Sequence, residues 1–417
     1  VAGTQTAEYD LVIQFSEEAY ADLLGVVFDS GGLISRIADL IPGVSTDLFT
    51  LTLSIDRPTD ISLPPDAENP LDIFLGLGED GGLATVRMVV GILVDRSNPE
   101  RDTVLIDFEN SIYHASVSVG STSLPIPGLT GALADIIPSV PVLPVPVDRT
   151  SDAPATITRV DFKIIDDTSG ADRDATSGML TFGGGSAGNL ANLNSFVPDD
   201  GRGAIGVFFP WLCRLAVPTI ESALGLPGGS FDITNERCAL NRVVRVDEDQ
   251  EVDLTALNLT LVDGAIQVDA RVAKSGFCYE ASGDISASLL LEIENGRLIA
   301  SAEVGDPNVD IEIPLICWIA GAAIGAALGG VLGGVIGSIV TTILVPLMMW
   351  LATDVLEGTI DDAMDRVAEA INDAIPDVNV PAFGVNILFQ DVFIDDVVLQ
   401  AELEVVDNSP IRAEGVA

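Results

Sequence analysis

Between Ile313 and Thr353 the chain carries no charged side chain, although 20% of the whole sequence is charged. Inside that stretch Gly321, Gly325, Gly329, Gly333 and Gly337 recur every fourth residue, with Gly330 and Gly334 beside them. On a helix this spacing makes a ridge bare of side chains, which another backbone can approach to van der Waals contact. Apolar residues, among them Ile324, Leu328, Leu332, Ile336, Ile339 and Ile343, flank the ridge. Each glycine in a helix interior costs about 1 kcal/mol relative to alanine, so the ridge demands close packing. Three readings follow: a membrane span, for which about 18 apolar residues suffice; a helix buried in a folded protein; and a masked helix released later. The expectation is burial, with one long apolar helix over 314–352.

The charge balance bounds the partners. Acidic side chains number 63 against 19 basic ones, a formal net charge of −44. Repulsion excludes nucleic acid, and equally excludes adhesion to anionic lipid by a basic patch. Only two of the basic residues are lysines, Lys163 and Lys274. A surface poor in lysine and rich in aspartate suits a high-salt habitat, where self-repulsion is screened.

The four cysteines are Cys213, Cys238, Cys278 and Cys317, with no CxxC pair, and His114 is the one histidine. A zinc site is not expected from that set. An even count points to two disulfides and an oxidising compartment. Three pairings are open, of which Cys213–Cys238 with Cys278–Cys317 is favoured. The chain begins at Val1, which fits a removed signal peptide or a trimmed chain, and secretion is the expectation.

Along the chain, Tyr9–Phe15 reads as a strand, after which Ser16 caps a helix with Glu17 and Glu18 in its first turn. Alternation predicts a meander over Phe49–Ile55, Leu71–Leu77, Leu83–Val94, Thr103–Phe108 and Ser111–Val119. The proline-rich stretch 124–146 cannot form a central strand. It reads as a short helix near Leu129–Ile136 between extended segments. Strands at Ile157–Ile165 and Gly178–Phe182 follow, then a helix from about Pro210 to Leu224. Two-residue turns at Asp263-Gly264 and Asn295-Gly296 join a second meander, with Leu257, Leu259 and Leu261 on one face. The glycine-ridged helix, an amphipathic helix over 354–375 and strands at Val385–Phe389 and Val397–Val405 complete the chain. A boundary near 200 divides it into residues 1–200 and 201–417.

No catalytic constellation emerges. Gly183–Gly188 (GGGSAG) matches both a dinucleotide fingerprint and a nucleophile elbow. The first needs a crossover helix, which NLANLNSFVPDDG does not provide. The second needs a histidine downstream of Ser186, and His114 lies upstream. A flexible glycine loop is the expectation. Asp166–Asp174 and Asp247–Asp253 cluster carboxylates that suit a calcium ion, without the EF-hand spacing. A solvated acidic loop is the expected state of each. Neither an enzyme, a cofactor nor a metal is expected.

Three places in the sequence carry a resemblance. YDLVIQFSEEAYADLL (Tyr9–Leu24) gives a strand running into a helix, the meander Asp253–Val304 runs into the apolar helix, and one cysteine, Cys278, falls on a strand while another, Cys317, falls at the helix start. This order resembles the tubular lipid-binding (TULIP) superfamily, which includes the bactericidal/permeability-increasing protein and accessory proteins of botulinum neurotoxin clusters. The resemblance covers residues 205–405 and, more loosely, 9–120. It implies an α+β fold of strongly twisted antiparallel sheets wrapped around the long helix, elongated and with two related halves. It also implies a Cys278–Cys317 bond tying helix to sheet.

The expected function is a secreted, non-enzymatic protein that binds lipid or another apolar small molecule. In that reading the ridge Gly321, Gly325, Gly329, Gly333 and Gly337 packs on the sheet, while Leu328, Leu332, Ile336, Ile339 and Ile343 line the ligand. The alternatives are a self-assembling surface or filament subunit, and a membrane-active toxin component that releases the helix. Homo-oligomers and membrane contact stay open.

Overall fold

The structure is a computed structural model. It describes residues 6–20, 49–54, 69–77, 84–119, 122–125, 140–165, 174–198, 202–247, 251–262, 265–276, 279–294, 297–304, 308–312, 385–394 and 398–407. The glycine-ridged stretch and the amphipathic helix predicted after it lie outside these residues.

In chain order, β1 (Leu11–Ser16) is followed by β2 (Phe49–Ser54), β3 (Pro70–Leu77), β4 (Ala84–Asp95), β5 (Arg101–Val119), β6 (Thr122–Pro125) and β7 (Val140–Pro146). Next come β8 (Ile157–Ile165), β9 (Ala175–Phe182), β10 (Gly203–Phe208) and the helix α1 (Phe209–Ala223). The second meander holds β11 (Phe231–Ile233), β12 (Arg237–Leu240), β13 (Val244–Asp247), β14 (Val252–Val262), β15 (Ala265–Gly276), β16 (Tyr279–Glu294), β17 (Arg297–Val304) and β18 (Asn308–Glu312). The last strands are β19 (Val385–Ile394) and β20 (Val398–Asp407).

These strands make three antiparallel sheets. A central six-stranded sheet has the order β19-β20-β10-β1-β9-β8. Strands β2 to β7 form a second sheet and β11 to β18 a third. The second meets the centre where β4 and β5 pack near β8, and the third where β16 and β17 pack near β19. The expected fold, sheets wrapped around a long apolar helix, is therefore corrected. The described residues are dominated by antiparallel sheet, and α1 is their one complete α-helix. The physical reason is that the strands bury one another. Apolar positions recur with period two and fall into register across neighbouring strands, so the sheets supply their own core.

The third sheet shows this sorting. Leu259, Val268, Ala287 and Val304 stand side by side on four strands, and Leu261, Ile266, Leu289 and Ala302 form the next row. On the opposite parity, Thr260, Gln267, Ser288 and Glu303 align. Val262 pairs with Ala265 and Glu294 with Arg297, so the chain reverses across the two predicted turns.

Several elements differ from the sequence reading. The predicted strands 103–108 and 111–119 are one strand, β5, but its ladder with β4 breaks between them: Val89 pairs with Ile112 and Gly91 with Asp107, so residues 108–111 have no partner on β4. The flanks of the proline-rich segment, β6 and β7, pair among the described residues with β5 alone, where prolines break no central ladder. The short helix expected between them lies outside the described residues. Ser16 does cap the turn that follows β1: Ala19 N–H donates to Ser16 Oγ at 3.2 Å.

β8 is an edge strand of the central sheet, and side chains of the second sheet close its edge. Val160 N–H donates to Asp102 Oδ2 at 2.9 Å, and Ile164 N–H to Asn69 Oδ1 at 2.9 Å. Arg96 donates to Val160 O at 2.7 Å and to Asp161 at 2.5 Å. Arg149 pairs with Asp102, whose side chain is wholly buried. Side chains thus satisfy backbone groups that would otherwise template further pairing. Helix α1 is held to the third sheet by the Cys213–Cys238 disulfide, whose partners are 25 residues apart. Its Trp211 stacks on Phe182 at 4.5 Å and donates to Pro154 O.

Asp102→Ala should leave Arg149 and the Val160 N–H without their acceptor. We expect a loss of about 3 kcal/mol in unfolding free energy, read from urea midpoints. A change inside about 0.5 kcal/mol would mean that the edge closure contributes nothing to stability.

Candidate functional site

The central sheet has two unlike faces. On one, Val160, Leu180, Leu11, Val207 and Leu399 form a row across five strands. Beside it run Phe162, Gly178, Ile13, Ile205 and Ala401, then Ile164, Thr176, Phe15, Gly203 and Leu403. None of these positions is charged. Leu11, Val160, Leu180, Ile205 and Val207 are buried, whereas Ile13, Phe15, Phe162 and Ile164 are half-buried. Between Phe162 and Ile13 sits Gly178, where an added Cβ would meet nothing within 4 Å among the described residues. The face therefore has a flat, side-chain-free floor ringed by half-exposed apolar groups.

The opposite face mixes polar and apolar residues and is covered. It presents Gln14, Ser177 and Lys163 in one row. The segment 190–197 lies over them. Gln14 donates to Asn194 O at 2.9 Å and accepts from Phe196 N–H at 2.8 Å. Lys163 donates to Leu190 O and Leu193 O at 2.8 and 2.7 Å, and burial lowers its pKa. Leu193 and Phe196 complete a core with Tyr9, Val12 and Met179.

The glycine run proves to be packed, not free. A Cβ on Gly185 would lie 2.3 Å from Asp10 Oδ2, one on Gly183 2.3 Å from Ala153 O, and one on Gly188 2.4 Å from the Tyr9 ring. Glycine is required there by close approach. Asp10 accepts from Phe182 N–H at 2.8 Å and from Arg214 at 2.5 Å, which ties β1 to α1. Ser186 is exposed, and the register puts His114 opposite Arg87 in the second sheet, so the two are not brought together by the ladder.

Of the residues singled out in the sequence, Cys213 and Cys238 are joined. Cys278, Cys317, Leu328, Leu332, Ile336, Ile339, Ile343 and the five ridge glycines lie outside the described residues. So does most of Asp166–Asp174. Asp253, at the end of the other acidic segment, pairs with Arg245 at 2.5 Å. Among the described residues, no group of three or more His, Cys, Asp or Glu side chains is placed to hold a metal ion. No described helix is long and apolar enough to cross a membrane. The apolar face was not singled out by the sequence reading. Its signal is the alternation Leu11, Ile13, Phe15, matched by Val160, Phe162, Ile164, once the two strands are known to share a sheet.

Burial raises the pKa of Asp10, while Arg214 and the Phe182 N–H pull it back. A carboxyl whose folded pKa exceeds its unfolded one stabilises the fold below the unfolded pKa, near 4, and that contribution is lost as pH rises through the folded value. The stability of the native chain relative to Asp10→Asn should therefore fall with rising pH above about 4 and then level off. Urea midpoints for both chains at stepped pH check this, and a difference that grows with pH contradicts it.

No model of a known protein family matches the chain. No curated protein matches it. Among solved structures it is similar to P47 from Clostridium botulinum A2, at 12% identity and a TM-score of 0.45, over 96% of this chain and 98% of that one. It is also similar to a lipopolysaccharide binding protein, at 9% identity and a TM-score of 0.36, over 96% of this chain and 99% of that one. At these identities and scores the likenesses carry neither a family nor a function across.

Proposed function

We propose that the chain is a non-enzymatic protein that binds an acyl chain or another apolar small molecule on the apolar face of its central sheet. One observation carries the reading: a charge-free face in a chain with 63 acidic residues, half-exposed at Ile13, Phe15, Phe162 and Ile164 around the open floor at Gly178. Half-exposed apolar area is unfavourable in water, and a ligand that covers it contributes roughly 0.8 kcal/mol for each CH₂ it buries. An acyl chain of ordinary length needs no deep cavity to be held this way. The Cys213–Cys238 bond supports an oxidising compartment, and we read the protein as secreted.

Native mass spectrometry of detergent-free protein in high salt, followed by solvent extraction, tests the reading. A stoichiometric adduct of lipid size is the expected result. A clean apo mass from a folded monomer would sink it. Large homo-oligomers without adduct would mean that other copies of the chain cover the face. Ile13→Asp places a charge on the floor's rim and should weaken binding of a fluorescent acyl probe at least about tenfold.

A further inference from the structure

We infer that the ligand of this face is a neutral amphiphile, anchored by a hydrogen bond to the hydroxyl of Thr176. The inference rests on the apolar-ligand reading above and adds a polar contact to it. Thr176 is 1% exposed, and its Oγ1 has no hydrogen-bond partner among the described residues. Buried hydroxyls in folded proteins are almost always paired, so an orphan asks for an explanation. Ser177 and Thr181 on the same strand also hold unpartnered hydroxyls, but their parity puts them on the covered face. Thr176 alone among these three shares the face of Gly178. The two lie two residues apart on β9, roughly 7 Å along the strand. A chain lying over Gly178 would thus carry its polar end to Thr176, between Phe15 and Ile164 in the register.

The same surroundings decide the charge of that end. The rows of Thr176 and Gly178 hold no charged residue, and the next same-parity positions beyond Phe15 and Thr176 are the acidic Glu17 and Asp174, so a carboxylate there would meet no counter-ion from these positions. The net charge of −44 repels an anion further. A threonine hydroxyl donates to an ester carbonyl and both donates to and accepts from an alcohol. The matching ligand is a long-chain alcohol or an acyl ester, not a free fatty acid and not a bare hydrocarbon.

The test uses the full chain at neutral pH, with displacement of a fluorescent acyl probe by dodecanol, methyl dodecanoate, dodecanoate and dodecane. The alcohol and the ester should bind about five- to tenfold more tightly than dodecane, and dodecanoate should gain nothing over it. Thr176→Val should erase that preference and leave dodecane unchanged. Without ligand it should melt no lower than the native chain, since it removes an unsatisfied hydroxyl. Gly178→Leu fills the floor and should block all four compounds alike. If dodecanol binds Thr176→Val as well as it binds the native chain, or if the native chain does not distinguish the four, the anchor is overturned while the apolar-ligand reading stands. If none of the four displaces the probe and no probe binds, the apolar-ligand reading falls with it.

Discussion

Register in the central sheet is the constraint on which the rest depends. β10 lies between β1 and β20, so its two ladders join residues near the start, middle and end of the chain. Closing such loops costs entropy that grows only slowly with length, but it must be met before any distant pair forms. What offsets it is burial: every residue of β10 is buried. A slip of one residue would carry Gln14 and Lys163 onto the apolar face and strip them of their acceptors in the 190–194 segment. The polar side chains of the covered face thus enforce the register of the apolar one.

The edge of that sheet shows how the second sheet is joined without extending the ladder. A continued ladder would have required an extended strand beside β8. Instead Asn69, Arg96 and Asp102 reach across, and each satisfies backbone groups of β8. Arg159 holds Asp161 through two nitrogens at 2.6 and 2.9 Å, so the carboxylates at this junction are paired. Buried ion pairs add little net stability against apolar packing, yet breaking one is costly.

Local pattern carried much of this architecture and none of its long-range pairing. Alternation and turn residues located the second meander, and Val262↔Ala265 and Glu294↔Arg297 confirm its reversals. The helix read from Pro210 to Leu224 is Phe209–Ala223. That β1, β9, β10 and β20 share one sheet was not legible, because nothing in a strand's own sequence names its partner. The candidate site inherits that blindness: the sequence reading starts this strand at Gly178 and leaves Thr176 in the preceding acidic loop, and only the pairing sets Thr176 beside Phe15 and Gly178 beside Ile13. The glycine run misled in the other direction. GGGSAG reads as mobility, whereas Asp10, Tyr9 and Ala153 crowd Gly185, Gly188 and Gly183.

A chain at once 48% hydrophobic and at net charge −44 must keep two incompatible surfaces apart. Antiparallel strands do so by parity. In the third sheet Asn258, Asp269 and Ser286 align on one face, while Leu257, Ala270 and Ile285 align on the other. Ser286 donates to Asp269 at 2.5 Å on the polar side. In the central sheet the same rule sends Asp161 and Lys163 to one face and Val160, Phe162 and Ile164 to the other. Charge is thereby kept off the apolar face by strand parity. A surface cleared of charge in this way selects for what can leave water cheaply, and the unsatisfied oxygen that the described residues place on it, Thr176 Oγ1, sets the polarity that such a molecule must bring.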